Sequence, residues 1–402
     1  MKIINKILRA NDEILGSLSS LLMSVSNFIL LKQLISFLGI TSFGVFNYFT
    51  TVLIASMSLT DFGINNSLTT KVFTTKNTKE ISSVLLFSIF FQILILITLV
   101  LIWKNLDSRL AIYNYNLIIF ITIVIFFSKK AWGIVSSALL SIYNVRPLLY
   151  ISITYTFISL FLLIFDYQLT LEKYLSVQGL IFIAPFIYII KTFAPNFKVG
   201  FDKTLSLVRK FITSSLFFLL TNIFSLYAIW FERDILIDSI GLDGQAIFGI
   251  GILCINMLSV LLNGALKVSW SKGGNDVFLE LLKSKKFLIY CIPIFTIFNL
   301  IISYLIIIFF ELKFSTSTYT FFMLMFFSSP FLLLNQLISI NFYAKNKFIN
   351  VSKVGLMILL LNILLLLVLK YEFIVRINLV VFAFKIFIIH LITFITLTSL
   401  RK

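Results

Sequence analysis

Residues 356–369 read Leu-Met-Ile-Leu-Leu-Leu-Asn-Ile-Leu-Leu-Leu-Leu-Val-Leu, apolar at every position except Asn362. A half-buried strand alternates apolar and polar residues, and a strand of a membrane barrel does so over about ten residues. A helix on the surface of a soluble protein keeps a polar face. This stretch has neither pattern, so it reads as a helix with apolar surroundings on every side. Lys353 and Lys370 bracket it. Crossing about 30 Å of hydrocarbon at 1.5 Å per residue takes roughly 20 residues, the scale of that interval.

The rest of the chain repeats the pattern. Its 402 residues are 60% apolar, 16% aromatic and 12% charged, with mean hydropathy +1.06. A soluble domain carries about 25% charged residues, and folding cannot hide such an apolar excess from water. A soluble enzyme, a disordered chain and a disulfide scaffold are therefore excluded. Twelve segments have the length and composition of spans: 14–38, 43–65, 81–103, 113–141, 148–165, 174–190, 211–231, 244–266, 287–310, 319–341, 354–369 and 377–399. The expected class is an all-α polytopic membrane protein of about twelve transmembrane helices. Ile14–Leu38 is too long for the apolar core of a cleavable leader and reads as the first span.

Orientation follows from the cations. With both termini cytoplasmic, 22 of the 33 Lys and Arg fall on inner segments, 7 on outer ones, and Lys32, Lys129, Lys130 and Lys385 lie within spans. That split is the positive-inside bias, and it accounts for the net charge of +17 without nucleic acid. The basic segment 191–210 divides the chain into two expected six-helix bundles, 1–200 and 201–402. A faint repeat joins them. Leu38-Gly39-Ile40 followed by Phe43-Gly44 connects spans one and two, and Ile240-Gly241-Leu242 followed by Phe248-Gly249 connects spans seven and eight.

Motifs of soluble active sites are absent: one histidine, no glycine-rich phosphate loop, no nucleophile elbow, no metal-ligand spacing at Cys254 or Cys291. No catalytic residue, metal or cofactor is expected. The informative residues are charges placed in lipid, each costing roughly 2.5–3.5 kcal/mol near the bilayer centre on insertion scales. Lys129 and Lys130 sit in the middle of span four, Lys32 near the outer end of span one and Lys385 in span twelve. These four are the candidate ligands of a cationic cavity; a headgroup boundary or snorkelling is the other reading of Lys32, Lys129 and Lys130. Asp61 is the one acid within a span. Together with Glu232, Arg233 and Asp234, which follow span seven as an outer loop or a cavity mouth, and with His390, it is a candidate for coupling or gating. The other readings are pairing of Asp61 with Lys71 or another inner lysine and a packed, hydrogen-bonded His390. Four intramembrane cations against one acid would attract an anionic ligand.

The opening of the chain, Leu38-Gly39 with Phe43-Gly44 through Leu59-Thr60-Asp61-Phe62-Gly63-Ile64 and on to Thr69-Thr70-Lys71, resembles that of polysaccharide repeat-unit flippases. These are the Wzx-type O-antigen transporters of the multidrug/oligosaccharidyl-lipid/polysaccharide (MOP) exporter superfamily. Arg233-Asp234-Ile235-Leu236-Ile237 with Gly241 is similar to that family's seventh-span region. The resemblance implies two six-helix bundles about a central cavity, as in the MATE exporters of the same superfamily. It also implies flipping of an oligosaccharide on undecaprenyl diphosphate across the bacterial inner membrane, beside a polysaccharide polymerase and a chain-length regulator. The alternatives are a MATE-like exporter of drugs or organic cations, which would want an acidic cavity, and a polytopic glycan polymerase or ligase. Polymerases and ligases usually carry a large outer loop with catalytic Arg and His, and the outer segments here are short.

Overall fold

The computed structural model describes residues 2–60, 78–131, 146–164, 170–177, 179, 222–256, 297, 299–313, 315–344, 348–371 and 378–399. Among them every regular element is helical: α1 (Lys2–Thr60), α2 (Thr78–Leu106), a 3-10 turn (Ser108–Ile112), α3 (Tyr115–Ile125), α4 (Arg146–Ile164), α5 (171–177), α6 (Asn222–Asn256), α7 (299–309), α8 (Thr316–Ala344), α9 (Phe348–Lys370) and α10 (Leu379–Ser399). The chain has an all-α membrane fold. Four of the described stretches, Leu18–Met57, Asn222–Asn256, Lys353–Lys370 and Leu379–Ser399, are long and apolar enough to cross a bilayer. On α9 the outward residues Met357, Leu360, Leu364 and Leu367 recur every three or four positions, so a solvent-facing stripe is made of lipid-soluble side chains.

Two expected loops are replaced by helix. Span one and the described part of span two, as far as Thr60, are both within α1, and α6 runs through the segment expected to lie outside between spans seven and eight. A straight helix of 59 residues would be about 90 Å long, three bilayer thicknesses. Gly39 prevents that. Its φ of 74° and ψ of 161° break the helical path at a single residue, and Gly241, at φ 83°, stands in α6 with the same sign of φ. Only glycine adopts such angles without a Cβ clash, so each corner depends on one residue. Glu232, Arg233 and Asp234 consequently lie inside a helix and not in a loop.

The end of the bundle that holds these corners is also where several helices begin. Asn114 caps α3 by accepting from the Leu117 amide at 2.7 Å, Ser315 caps α8 through Thr318, and Asn378 caps α10 through Val381. Away from this end, lipid offers little hydrophobic drive for helix pairing, so small polar contacts contribute. Ser19 meets Ser152 at 2.6 Å, and Ser26 and Asn27 on α1 meet Thr156 and Tyr155 on α4. In the second half Asn335 on α8 donates to the His390 carbonyl at 3.0 Å, and Phe331 packs against Phe387 and Phe394 of α10.

The middle of span four departs from a regular helix. Phe126–Ala131 forms a π-helical turn after α3, and it contains Lys129 and Lys130. Such turns are inserted residues in an otherwise regular helix and recur at functional sites.

Candidate functional site

The charged side chains of the second half come together on α6. Glu232, Arg233 and Asp234 are consecutive, so on a helix they point about 100° apart and take three different partners. Glu232 accepts from the ammonium of Lys385 on α10, and the Lys385 side chain is 4% exposed. Arg233, 4% exposed, lies 4.6 Å over the Phe248 ring and donates from Nη1 to Oε1 of Gln245 at 3.3 Å. Its Nε and the Nε2 of Gln245 are buried with no hydrogen-bond partner among the described residues. Phe248 and Phe382 meet edge to face at 5.7 Å, and Lys385 lies 5.7 Å over Phe382, so aromatic rings wall the cluster.

Asp234 turns the other way and crosses to the first half, where it accepts from Nη2 of Arg109 at 2.5 Å. Arg109 is held from behind. Its Nε lies 3.6 Å from Asp107, its guanidinium 5.1 Å over the Tyr48 ring, and the Tyr48 hydroxyl donates to Asp107 at 2.6 Å. Lys32 of α1 makes a second crossing contact, 3.5 Å from Glu311 at the end of α7 and 5.0 Å over Phe309. Phe28, one turn earlier, stacks on Phe309 at 5.3 Å and meets Phe310 edge-on. Between the corners, Thr41 donates to Asp243 at 2.6 Å and Asn47 to the Gln245 carbonyl at 3.1 Å. A Cβ on Gly44 would sit 2.2 Å from the Leu242 carbonyl oxygen, so glycine is required for this approach of one half to the other.

At the level of the fold, several solved structures match the whole chain. A MOP-superfamily transporter from Pyrococcus furiosus, described as having a binding pocket of reversed polarity, superposes with a TM-score of 0.61 at 13% identity over 98% of this chain and 96% of its own. The chain shares the fold of that transporter. A multidrug-resistance MATE transporter matches in its outward-facing form (TM-score 0.59, 14% identity, 96% of this chain and 93% of that one) and in its inward-facing form (0.58, 14%, 98% and 97%). No protein-family model matches the sequence, and no curated protein does.

The candidate residues thus separate into groups. Glu232, Arg233 and Lys385 form one cluster, and Lys32 and Asp234 each make an ion pair between the halves. His390 follows Lys385 by five positions on α10, with its carbonyl held by Asn335. Lys129 and Lys130 are placed by their backbone in the π turn, and their side chains, like the whole of Asp61, lie outside the described residues. Among the described residues no three His, Cys, Asp or Glu side chains gather as a metal site. Sequence reading passed over Arg109, Gln245 and Glu311. Arg109 and Glu311 carry a signal all the same: they stand 202 residues apart, the interval that separates Gly39 from Gly241.

Proposed function

We propose that the protein is a membrane transporter that moves an anionic, lipid-linked cargo by alternating access, and that the cargo is an oligosaccharide on undecaprenyl diphosphate. The observation that carries this reading is Arg233. It is a buried guanidinium in a membrane fold that is hydrogen-bonded to a neutral amide and lies over an aromatic ring, and the carboxylate that attracts it, Glu232, is already ion-paired with Lys385. Its neighbour Lys385 is balanced by Glu232, which leaves the three-residue cluster one positive charge in excess. An uncompensated buried cation is costly, and a diphosphate entering the site supplies the missing charge. The guanidinium fork suits phosphate oxygens, and the partnerless Nε and the Gln245 amide are free donors for them. Lys129 and Lys130 add positive charge from the first half. The Pyrococcus furiosus protein, whose reversed pocket polarity is described as suggesting a different function, is consistent with this fold serving more than one kind of cargo.

The cargo is then flipped across the bacterial inner membrane, with both termini in the cytoplasm, toward a polysaccharide polymerase and its chain-length regulator. Reporter fusions at Lys76, Lys203, Lys272 and Lys347 are expected to report the cytoplasm. The deciding experiment is transport in proteoliposomes of a fluorescent undecaprenyl-diphosphate oligosaccharide against ethidium. Transfer of the glycan lipid, lowered at least tenfold by Arg233→Gln at equal protein content, supports the reading. Ethidium transport without glycan transfer replaces it with a MATE-like cation exporter.

A further inference from the structure

Gly39 and Gly241, the two corners, are 202 residues apart and share a positive φ. Counting the same 202 positions from Lys32 reaches Asp234, and from Arg109 reaches Glu311. These four residues make the two ion pairs between the halves: Lys32 with Glu311, and Arg109 with Asp234. Each pair is therefore the image of the other under an operation that exchanges the halves, with the signs reversed. Residues related by such an exchange touch each other only near its axis. Thr41 and Asp243, again 202 apart, are hydrogen-bonded, and a Cβ on Gly249 would come 1.8 Å from Nδ2 of its counterpart Asn47. The axis thus runs between the corners, with one ion pair on each side of it. Both cations belong to the first half and both acids to the second, so the contact is attractive on both sides.

Glu311 supplies an independent sign that its side chain is wanted there. It is the non-glycine residue with positive φ (54°) among the described residues. The Leu312 amide donates to the Ile307 carbonyl and the Glu311 amide to that of Ile308, the closure of a helix end in which the left-handed position is normally glycine. A glutamate held in that conformation carries backbone strain and gains only what its carboxylate does.

We propose that the two sign-reversed pairs form a latch that holds the halves together at this end, and that exchange at this end begins when both pairs break. Partly exposed pairs suit a contact that must open, since water competes for both partners. The latch is tested without any cargo, so its failure and that of the transport assignment are separable. With Cys254 and Cys291 replaced by alanine, Thr41→Cys with Asp243→Cys should form a disulfide in most chains on mild oxidation, read by intact mass and protection from maleimide. In an Asp107→Asn background, which removes the like charge that a carboxylate at position 109 would meet, adding Asp234→Arg is expected to slow disulfide formation at least threefold, and combining it with Arg109→Asp to restore the rate, because the swapped pair keeps opposite charges. Lys32→Glu with Glu311→Lys should behave likewise, with a smaller single-reversal effect. An unchanged rate after single reversal overturns the latch. So does a double swap no faster than the single, and that comparison also separates the latch from misfolding.

Discussion

At matching places before the two corners, the first half carries Leu30-Leu31-Lys32 and the second carries Glu232-Arg233-Asp234. The backbone is the same at both places, a helix that runs seven residues on into a glycine corner. The chemistry differs. Leu30 and Leu31 are buried apolar residues in the core, whereas Glu232 and Arg233 are charges, the first partly and the second fully buried, with Lys385 and Gln245 as partners. Only the third position is polar in both halves, and there the signs are opposed. The two places thus share a helix that ends on a positive-φ glycine, while the side chains before that glycine differ. The first half presents an apolar wall at this depth and the second presents charge. The third position in each half is used to join them.

The largest expected effect breaks the second half alone. Lys385→Gln leaves the largely buried Glu232 carboxylate without its hydrogen-bonded ion partner, and breaking a buried pair by removing one partner costs up to about 3–5 kcal/mol. Glu232→Gln in the same chain should recover most of the thermal stability. If the double variant is as unstable as the single, Lys385 does something other than neutralise Glu232. The opposite substitution, Leu31→Arg, should be as damaging in the first half, where Leu31 is buried in the hydrophobic core.

A smaller effect is expected at the closest approach of the halves. Gly44→Ala places a methyl group against backbone and not against a yielding side chain, so the corners must separate. The Thr41→Cys/Asp243→Cys disulfide should then form several-fold more slowly. Gly39→Ala, with nothing near its Cβ, should leave that rate alone once folded and cost about 1–3 kcal/mol of stability through its φ. Equal effects of the two substitutions on both readouts would mean that the glycines share one role.

Much of this architecture was legible in the sequence, because a span in lipid needs a long apolar run and little else. The segments 81–103, 148–165, 319–341 and 354–369 sit within or against the helices Thr78–Leu106, Arg146–Ile164, Thr316–Ala344 and Phe348–Lys370. The corners were not legible as helix. Polar residues around Gly39 and Gly241 read as loop, and nothing local reveals that one residue's backbone angles can turn the chain while the hydrogen-bonded helix resumes at once. The repeat was half legible. Gly39 and Gly241 are true counterparts, but Gly44 matches Ala246 and not Gly249, so aligning the Phe-Gly pairs hid the interval that relates the ion pairs. Lys385 and Lys32 read as unpaired cations because their partners, Glu232 and Glu311, lie 153 and 279 residues distant and meet them only through tertiary packing.

The finest test of the comparison lies in the two latch pairs themselves. Arg109–Asp234 is buttressed by Asp107 and Tyr48, whereas Lys32–Glu311 has a longer contact and a carboxylate that is 75% exposed. Replacing Asp234 by Asn removes a charged hydrogen bond in a partly buried setting, for which about 1.5 kcal/mol is the lower end of the usual range. Glu311→Gln removes an exposed pair, worth about 0.2–1 kcal/mol. Glu311→Gly removes the same pair and also relieves the positive φ, for which glycine carries no Cβ penalty. The two substitutions at position 311 should therefore part company. Both should loosen the latch to the same small extent in the cysteine assay, yet the glycine variant should unfold at a temperature equal to or above that of the parent, and the glutamine variant slightly below it. A glycine variant that is plainly less stable than the glutamine one would show that the Glu311 backbone is unstrained, and the argument that this side chain is kept for the latch would lose its second support.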